Sequence, residues 1–135
     1  MHRVAIPFSD PASGARALEA LLRAPRERGL AVELVAMVEP QRAGKVQVFV
    51  SQVQAARSVT RAAQRWLDVL SARLDAAGVP HSGRVALGPP ARTLRALGGR
   101  ADLARIVMAP PASAWPRWRG EHALAGATRP VTFVA

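Results

Sequence analysis

Residues 30–38 read LAVELVAMV, and only Glu33 interrupts this apolar run. Gly29 precedes the run, and Glu39-Pro40 closes it. A nearly continuous run of apolar, β-forming residues is typical of a strand that is covered on both faces, as in parallel sheets. The stretch therefore predicts a buried strand of an α/β protein, because parallel neighbours need crossover connections.

A first β–α unit precedes this strand. Residues 3–8, RVAIPF, form a short apolar run, and Ser9-Asp10-Pro11 supplies the capping and proline residues with which helices begin. The helix that follows places Leu18, Leu21 and Leu22 on one face. That face is expected to pack against the sheet.

A long amphipathic helix follows residues 30–38. From residue 52 to residue 77 apolar side chains recur at helical spacing, and a glycine and a proline end the pattern. The start lies between Lys45 and Ser51, because residues 46–50 (VQVFV) fit an alternating strand as well as a helical stripe. We place the start of the helix near Ser51.

A row of like charges follows another face of this helix, where Arg57, Arg61 and Arg65 have i,i+4 spacing. Such a row costs about 0.2–0.5 kcal/mol per pair in an isolated helix. We favour a solvent-exposed face on which Asp68 partly relieves the repulsion between the arginines. The alternative is a face that docks on an anionic surface.

The remainder of the chain continues the alternation of strands and helices. The predicted elements are strands at residues 84–87, 103–108 and 130–134, and helices at residues 91–97 and 121–125. With short loops and right-handed crossovers, the pattern predicts one α/β domain over residues 1–135. Its core is an open, five-stranded, mainly parallel sheet with helices on both faces.

Bulk composition narrows the classes of function. The 135-residue chain has no cysteine and a formal net charge of +10, and every basic residue except Lys45 is arginine. The arginines are spread along the chain without a basic cluster interleaved with aromatics, so nucleic-acid binding is not favoured. No apolar run reaches ~18 residues and no signal-peptide pattern occurs, so we expect a cytoplasmic protein without membrane association.

Several segments resemble motifs of the universal stress protein family. The matching segments, in chain order, are VAIPF at 4–8, VAMVEP at 35–40, GPPA at 88–91, Asp102 with IVM at 106–108, EHAL at 121–124 and PVTFV at 130–134. Ala104-Arg105 is an insertion relative to the family pattern. The order and spacing of the segments carry the resemblance, which covers nearly the whole chain.

The resemblance implies the family's fold, which is adenine nucleotide alpha hydrolase-like with strand order 3-2-1-4-5. It also implies a homodimer joined through the last strand, here Val131, Thr132, Phe133 and Val134. Pairing of this strand with a second copy would cover an edge that is otherwise exposed. Many members of the family bind ATP.

The sequence departs from the family's nucleotide-binding pattern, which is Gly-x-x-Gly, nine residues, then Gly-Ser or Gly-Thr, directly after the fourth strand. By position the first glycine pair corresponds to Ala109 and Ala112, and Arg117-Trp118 stands where Gly-Ser is expected. The adenosine-contacting aspartate is replaced by Ser9, with Asp10 one place on. A loop that wraps phosphates needs glycines and backbone donors. We therefore expect a family member that lacks the ATP-binding motif and has no cofactor.

If a ligand groove persists, the resemblance places these residues around it: Pro7, Ser9, Asp10, Val38, Gly88, Met108, Arg117 and Trp118. Two interpretations remain for Trp115 and Trp118, which stand beside Arg117 and Arg119. The tryptophans plug the groove as core residues, which we favour, or they stack on a base while the arginines grip a phosphate.

No catalytic constellation holds together in the sequence. The segment around Lys45 lacks the glycine and the Ser or Thr of a P-loop, and neither a nucleophile elbow nor a dinucleotide-binding fingerprint occurs. His2, His81 and His122 lack metal-ligand spacing, and no carboxylates form a close pair at a strand end. We expect no metal and no enzyme activity.

Three hypotheses of function follow. The leading one is a non-enzymatic, homodimeric stress-response or regulatory domain that acts through an unidentified protein partner and does not bind ATP. The alternative is a regulatory protein that binds a nucleotide or another anion through Arg117, Arg119 and the tryptophans. A second alternative is a non-specific nucleic-acid binder driven by net charge.

Overall fold

The computed structural model of the chain describes residues 2–39, 49–111 and 124–134, with the side chains of residues 49–52 left aside. Over these residues strands and helices alternate. The elements are β1 (His2–Phe8), α1 (Pro11–Arg23), β2 (Leu30–Val38), α2 (Phe49–Ala76), β3 (His81–Leu87), α3 (Pro90–Gly98), β4 (Arg105–Met108) and β5 (Val131–Phe133).

All five strands form one sheet, in the order β3-β2-β1-β4-β5. Each of the four neighbouring pairs is parallel. The predicted fold class and strand order are therefore confirmed. β1 is the central strand, since Val4 pairs with Val32 of β2 on one side and with Arg105 of β4 on the other.

Helices cover both faces of the sheet, as the alternation predicts. On one face Ile6 and Phe8 of β1 are buried with Leu18 of α1 and Leu67 of α2. On the opposite face Leu94 of α3 is buried in a second apolar cluster with residues of β1, β2 and β4. Each fully buried large apolar side chain contributes about 1.5–3 kcal/mol to stability.

The starts of two strands differ from the prediction. β3 begins at His81 rather than at residue 84, because Ser82 and Gly83 pair with β2 although their side chains give no β signal. β4 begins at Arg105 rather than at residue 103. Leu103 is buried ahead of the strand, so its apolar character reports packing and not strand pairing.

Both ends of the predicted long helix lie close to the observed ones. α2 already includes Phe49, ahead of the predicted start near Ser51, and it ends at Ala76. The predicted final helix at residues 121–125 falls mostly outside the described residues. Leu124 is helical and is buried in the cluster on the α3 face.

α1 approaches the sheet closely at Gly14. A Cβ atom on Gly14 would lie 2.9 Å from Cγ of Phe8 and 3.0 Å from Cδ1 of Leu70. Phe8 and Leu70 are themselves buried, so neither can move aside freely. The missing side chain therefore lets α1 meet β1 and α2 at one point.

An ionic cluster ties the end of α3 to the amino-terminal part of the sheet. Arg100 donates hydrogen bonds from Nε to Oδ1 of Asp102 at 2.9 Å and from Nη1 to Oε2 of Glu33 at 2.5 Å. Arg3 adds a 3.4 Å contact to Asp102. The hydrogen bond from Arg100 lowers the pKa of Asp102 to about 2. In turn the carboxylates, Asp102 first, raise the pKa of Arg100 above its ordinary value.

Replacing Gly14 with alanine overpacks this contact, and we expect Gly14→Ala to lower the free energy of unfolding by about 1–3 kcal/mol. Urea denaturation followed by circular dichroism measures the change. Gly126→Ala is the matched control, because a Cβ atom there would meet nothing within 4 Å. Equal stability of the two variants would contradict the close approach of α1.

Asp102 gives stability a defined pH dependence. Its folded-state pKa of about 2 lies below the unfolded-state value of about 3.9, so its contribution is present above about pH 4 and is lost as the pH falls toward 2. We expect the melting temperatures of the wild type and Asp102→Asn to converge over this range. Because Asp102 is exposed, ~1 M salt reduces the difference at higher pH. A difference in melting temperature that stays constant over this pH range would contradict the pairing of Asp102 with Arg100.

Candidate functional site

The carboxyl ends of β1 and β4 separate at the point where the strand order reverses. Over the described residues the pairing of β1 with β4 stops at Ala5 and Ile106, whereas the pairing with β2 continues to Phe8. Pro7 lies in this last part of β1 and has no N–H to donate. Open parallel sheets bind ligands beyond the strand ends at such a switch point.

The end of β1 turns directly into α1 through Ser9 and Asp10. Asp10 caps the helix, since its Oδ1 accepts a hydrogen bond from the backbone N–H of Ser13 at 2.8 Å. The hydroxyl of Ser13 donates to the Asp10 carbonyl oxygen at 3.1 Å. The carboxylate is thus held at the positive end of the helix, where negative charge is stabilised.

A cavity of about 260 Å³ opens beside this turn. The described residues that line it come from the ends of β1 and β2 and from α2 and α3: Ser9, Asp10, Met37, Val38, Glu39, Val59 and Pro90. Among these described lining residues the charged side chains are those of Asp10 and Glu39, and none is basic. Two carboxylates in this part of the wall repel a phosphate.

The turn between β3 and α3 closes one side of the cavity. The N–H of Gly88 donates a hydrogen bond to the Val38 carbonyl oxygen at 3.0 Å. Gly88 has a φ of +123°, in the region that only glycine adopts without strain. Gly88 thus fixes the end of β2 next to β3, while Pro90 reaches the cavity itself.

The described residues directly after β4, at 109–111, include two prolines. Ala109 is only 2% exposed and packs in the apolar cluster on the α1 face. Pro110 and Pro111 carry no N–H. Arg16 of α1 donates a hydrogen bond from its guanidinium to the Pro110 carbonyl oxygen. At the place where a phosphate would need N–H groups, the chain presents prolines and a carbonyl that is already bound.

The predicted groove residues fall into three groups. The residues that line the cavity are Ser9, Asp10 and Val38. The residues that lie at strand ends and do not line the described cavity are Pro7, Gly88 and Met108. Arg117 and Trp118, together with Ala112, Trp115 and Arg119, lie outside the described residues.

Four lining residues escaped the sequence analysis: Met37, Glu39, Val59 and Pro90. Glu39 directly follows a buried strand, and this position was a signal that could have identified it. The sequence did not predict that Glu39 and Asp10 line the same cavity, because they belong to different β–α units. Val59 has core spacing on its helix, so nothing in the pattern sets it apart from its neighbours.

The histidines do not converge on one site. His2 faces Glu27, and Nδ1 of His81 lies 3.0 Å from the Val79 carbonyl oxygen, while His122 lies outside the described residues. Across residues 2–39, 49–111 and 124–134 no group of three or more His, Cys, Asp or Glu side chains is placed to hold a metal ion. None of the helices described there has the length and apolar character to cross a membrane.

β5 forms one edge of the sheet. Val131, Thr132 and Phe133 pair with β4, and the N–H of Val134 donates to the Met108 carbonyl oxygen at 2.8 Å. Phe133 is 40% exposed, and Thr132 is also exposed. Within the described part of the chain, β5 has no second strand beside it.

Comparisons with known proteins identify the fold. No family model matches the chain, and no curated protein matches its sequence. Among solved structures, hypothetical protein MJ0577 matches with a TM-score of 0.81 at 12% identity, over 98% of this chain and 94% of its own. A universal stress protein family member from Burkholderia pseudomallei matches with a TM-score of 0.69 at 17% identity, with the same coverage of 98% and 94%.

A third match carries a ligand. A universal stress protein family protein from Arabidopsis thaliana, solved with AMP bound, has a TM-score of 0.64 at 13% identity and covers 99% of this chain and 91% of its own. At these identities the likeness concerns the fold. The chain has the fold of the universal stress proteins over nearly its whole length, as the resemblance in sequence implied.

Proposed function

We propose that this chain is a universal stress protein domain that has lost ATP binding. It works without catalysis in the cytoplasm, as a homodimeric stress-response or regulatory protein that acts by contacting another protein. The shared fold supports the family assignment. The chemistry around the strand ends supports the loss of ATP.

The observation that carries the proposal is the backbone after β4. Ala109 fills a family glycine position with a buried methyl group, and the next two residues are prolines without N–H groups. The carboxylates of Asp10 and Glu39 add repulsion. A carboxylate about 5 Å from a phosphate charge costs about 3 kcal/mol at an effective dielectric constant of ~20. ATP thus finds fewer donors here and more negative charge.

A second candidate function is the binding of a nucleoside monophosphate or another anion. The Arabidopsis protein of the same fold, solved with AMP, favours it. On this hypothesis Trp115 and Trp118 stack on the base, and Arg117 and Arg119 replace the lost loop as phosphate ligands. The single phosphate of AMP brings less charge toward Asp10 than a triphosphate does.

We expect saturating ATP with Mg²⁺ to leave the melting temperature of the protein unchanged. A ligand that binds only the folded state at about 100 times its Kd stabilises that state by about 2.7 kcal/mol, which appears as a rise of several degrees. Differential scanning fluorimetry measures the shift. Such a rise with ATP would overturn the proposal.

The same assay tests AMP, with the Arabidopsis protein and AMP as the positive control. A rise with AMP, together with quenched tryptophan emission, would favour the second candidate. An unchanged melting temperature and unchanged emission would remove it.

The exposed edge of β5 predicts the oligomeric state. We expect wild-type protein to sediment at twice the chain mass of 14.3 kDa. Thr132→Lys/Phe133→Lys should sediment as a monomer, because charged edge residues oppose strand pairing. Val69→Lys, at a position that is 66% exposed on α2, is the control and should remain dimeric. A monomeric wild type, or a double variant that stays dimeric, would contradict pairing through β5.

A further inference from the structure

The first part of α2 extends past the sheet that it covers. A helix of 28 residues is about 42 Å long, whereas the seven residues of β3 span about 23 Å. Among the described side chains of α2, the first fully buried one is Ala63. Residues 53–62 therefore form a protruding half-helix whose inner face is only partly covered.

A groove runs between this half-helix and the end of β3. Its volume is about 410 Å³, and the described residues that line it are Val53, Ala56, Arg57, Thr60, Arg61 and Leu87. Val53 is 37% exposed and Leu87 is 54% exposed, so two of the four exposed large apolar side chains in the described residues meet here. The Thr60 hydroxyl already donates to the Ala56 carbonyl oxygen at 2.8 Å. The floor of the groove is thus apolar and needs no polar partner.

Arg57 and Arg61 give the groove its charge. Both are exposed, and neither forms an ion pair with any residue in the described part of the chain. No described lining residue is acidic. Two like charges at i,i+4 spacing repel each other in the isolated helix, and carboxylates from outside would relieve that repulsion.

We propose that this groove is the docking surface for an acidic, amphipathic segment of a partner protein. An apolar side chain of the segment packs between Val53, Ala56 and Leu87, and two of its carboxylates pair with Arg57 and Arg61. The inference rests on the proposed function, in which the domain acts through protein contacts. It assigns that contact to one surface and gives the partner its chemistry.

Other occupants fit the groove less well. Single-stranded nucleic acid binds to aromatic side chains that stack on its bases, and none of the described lining residues is aromatic. A membrane surface calls for a convex apolar face with a cluster of several basic residues. Here the apolar residues line a concavity, and two arginines flank it. A concave apolar floor with a charged rim is the arrangement that recognises short peptide segments.

The test starts with random displayed peptides selected on wild-type protein and counter-selected on Arg57→Gln/Leu87→Ser. We expect the enriched peptides to combine apolar residues with Asp or Glu and to carry net negative charge. The best peptide is then synthesised with a fluorescent label, and its Kd is measured by anisotropy. Leu87→Ser and Arg57→Gln/Arg61→Gln should each weaken binding about tenfold.

Matched control variants separate the groove from the rest of α2. Val69→Ser changes an exposed apolar residue, and Arg65→Gln changes an arginine of the same row, yet neither is among the described residues that line the groove. Both should bind the peptide like the wild type. All variants should keep the wild-type circular dichroism spectrum, because the altered side chains are exposed.

Several results would overturn the proposal. These are no enrichment over the counter-selected variant, enriched peptides that are neutral or basic, or binding that survives Leu87→Ser. Binding of phosphatidylglycerol vesicles to the wild type but not to Leu87→Ser would assign the groove to a membrane instead. The ATP assay concerns the cavity at the strand ends, not this groove. If no peptide binds and ATP leaves the melting temperature unchanged, only the docking proposal fails. If a peptide binds and ATP raises the melting temperature, only the proposed loss of ATP binding is contradicted.

Discussion

The central strand β1 must be paired on both edges and buried on both faces, and this requirement places the other elements. Ile6 and Phe8 are covered by α1 and α2, and α1 comes close enough only because Gly14 has no side chain. The same turn from β1 into α1 fixes Asp10 as the helix cap at the edge of the cavity. One packing requirement thus sets both the core and the charge beside the strand ends.

The strand ends leave a crevice whose described lining carries two carboxylates. Pairing between β1 and β4 stops early, so a crevice remains at the switch point. Beyond β4, Arg16 binds the carbonyl of Pro110 and joins α1 to a segment poor in donors. A fold can retain its crevice while losing a ligand because packing and hydrogen-bond donors depend on different residues.

Sequence patterns predicted those strands and helices whose apolar residues are buried. The run at residues 30–38 and the helical stripe of α2 report burial directly, so a parallel sheet covered by helices followed from them. The strand order came from the family resemblance instead. Three of the seven described cavity residues, Ser9, Asp10 and Val38, were predicted, and the family resemblance supplied them. Val59 could not be predicted as a cavity residue, since its position depends on how α2 packs across the sheet. The exposure of Leu87 also escaped, because an apolar residue in a strand predicts burial.

The central claim is that the fold persists without its nucleotide. Isothermal titration calorimetry of ATP with Mg²⁺ into the wild-type protein tests it most directly, since the method needs no conformational signal. We expect only the heat of dilution at millimolar ATP. A saturable isotherm with one ATP per chain would contradict it and show that this donor-poor site still holds the triphosphate.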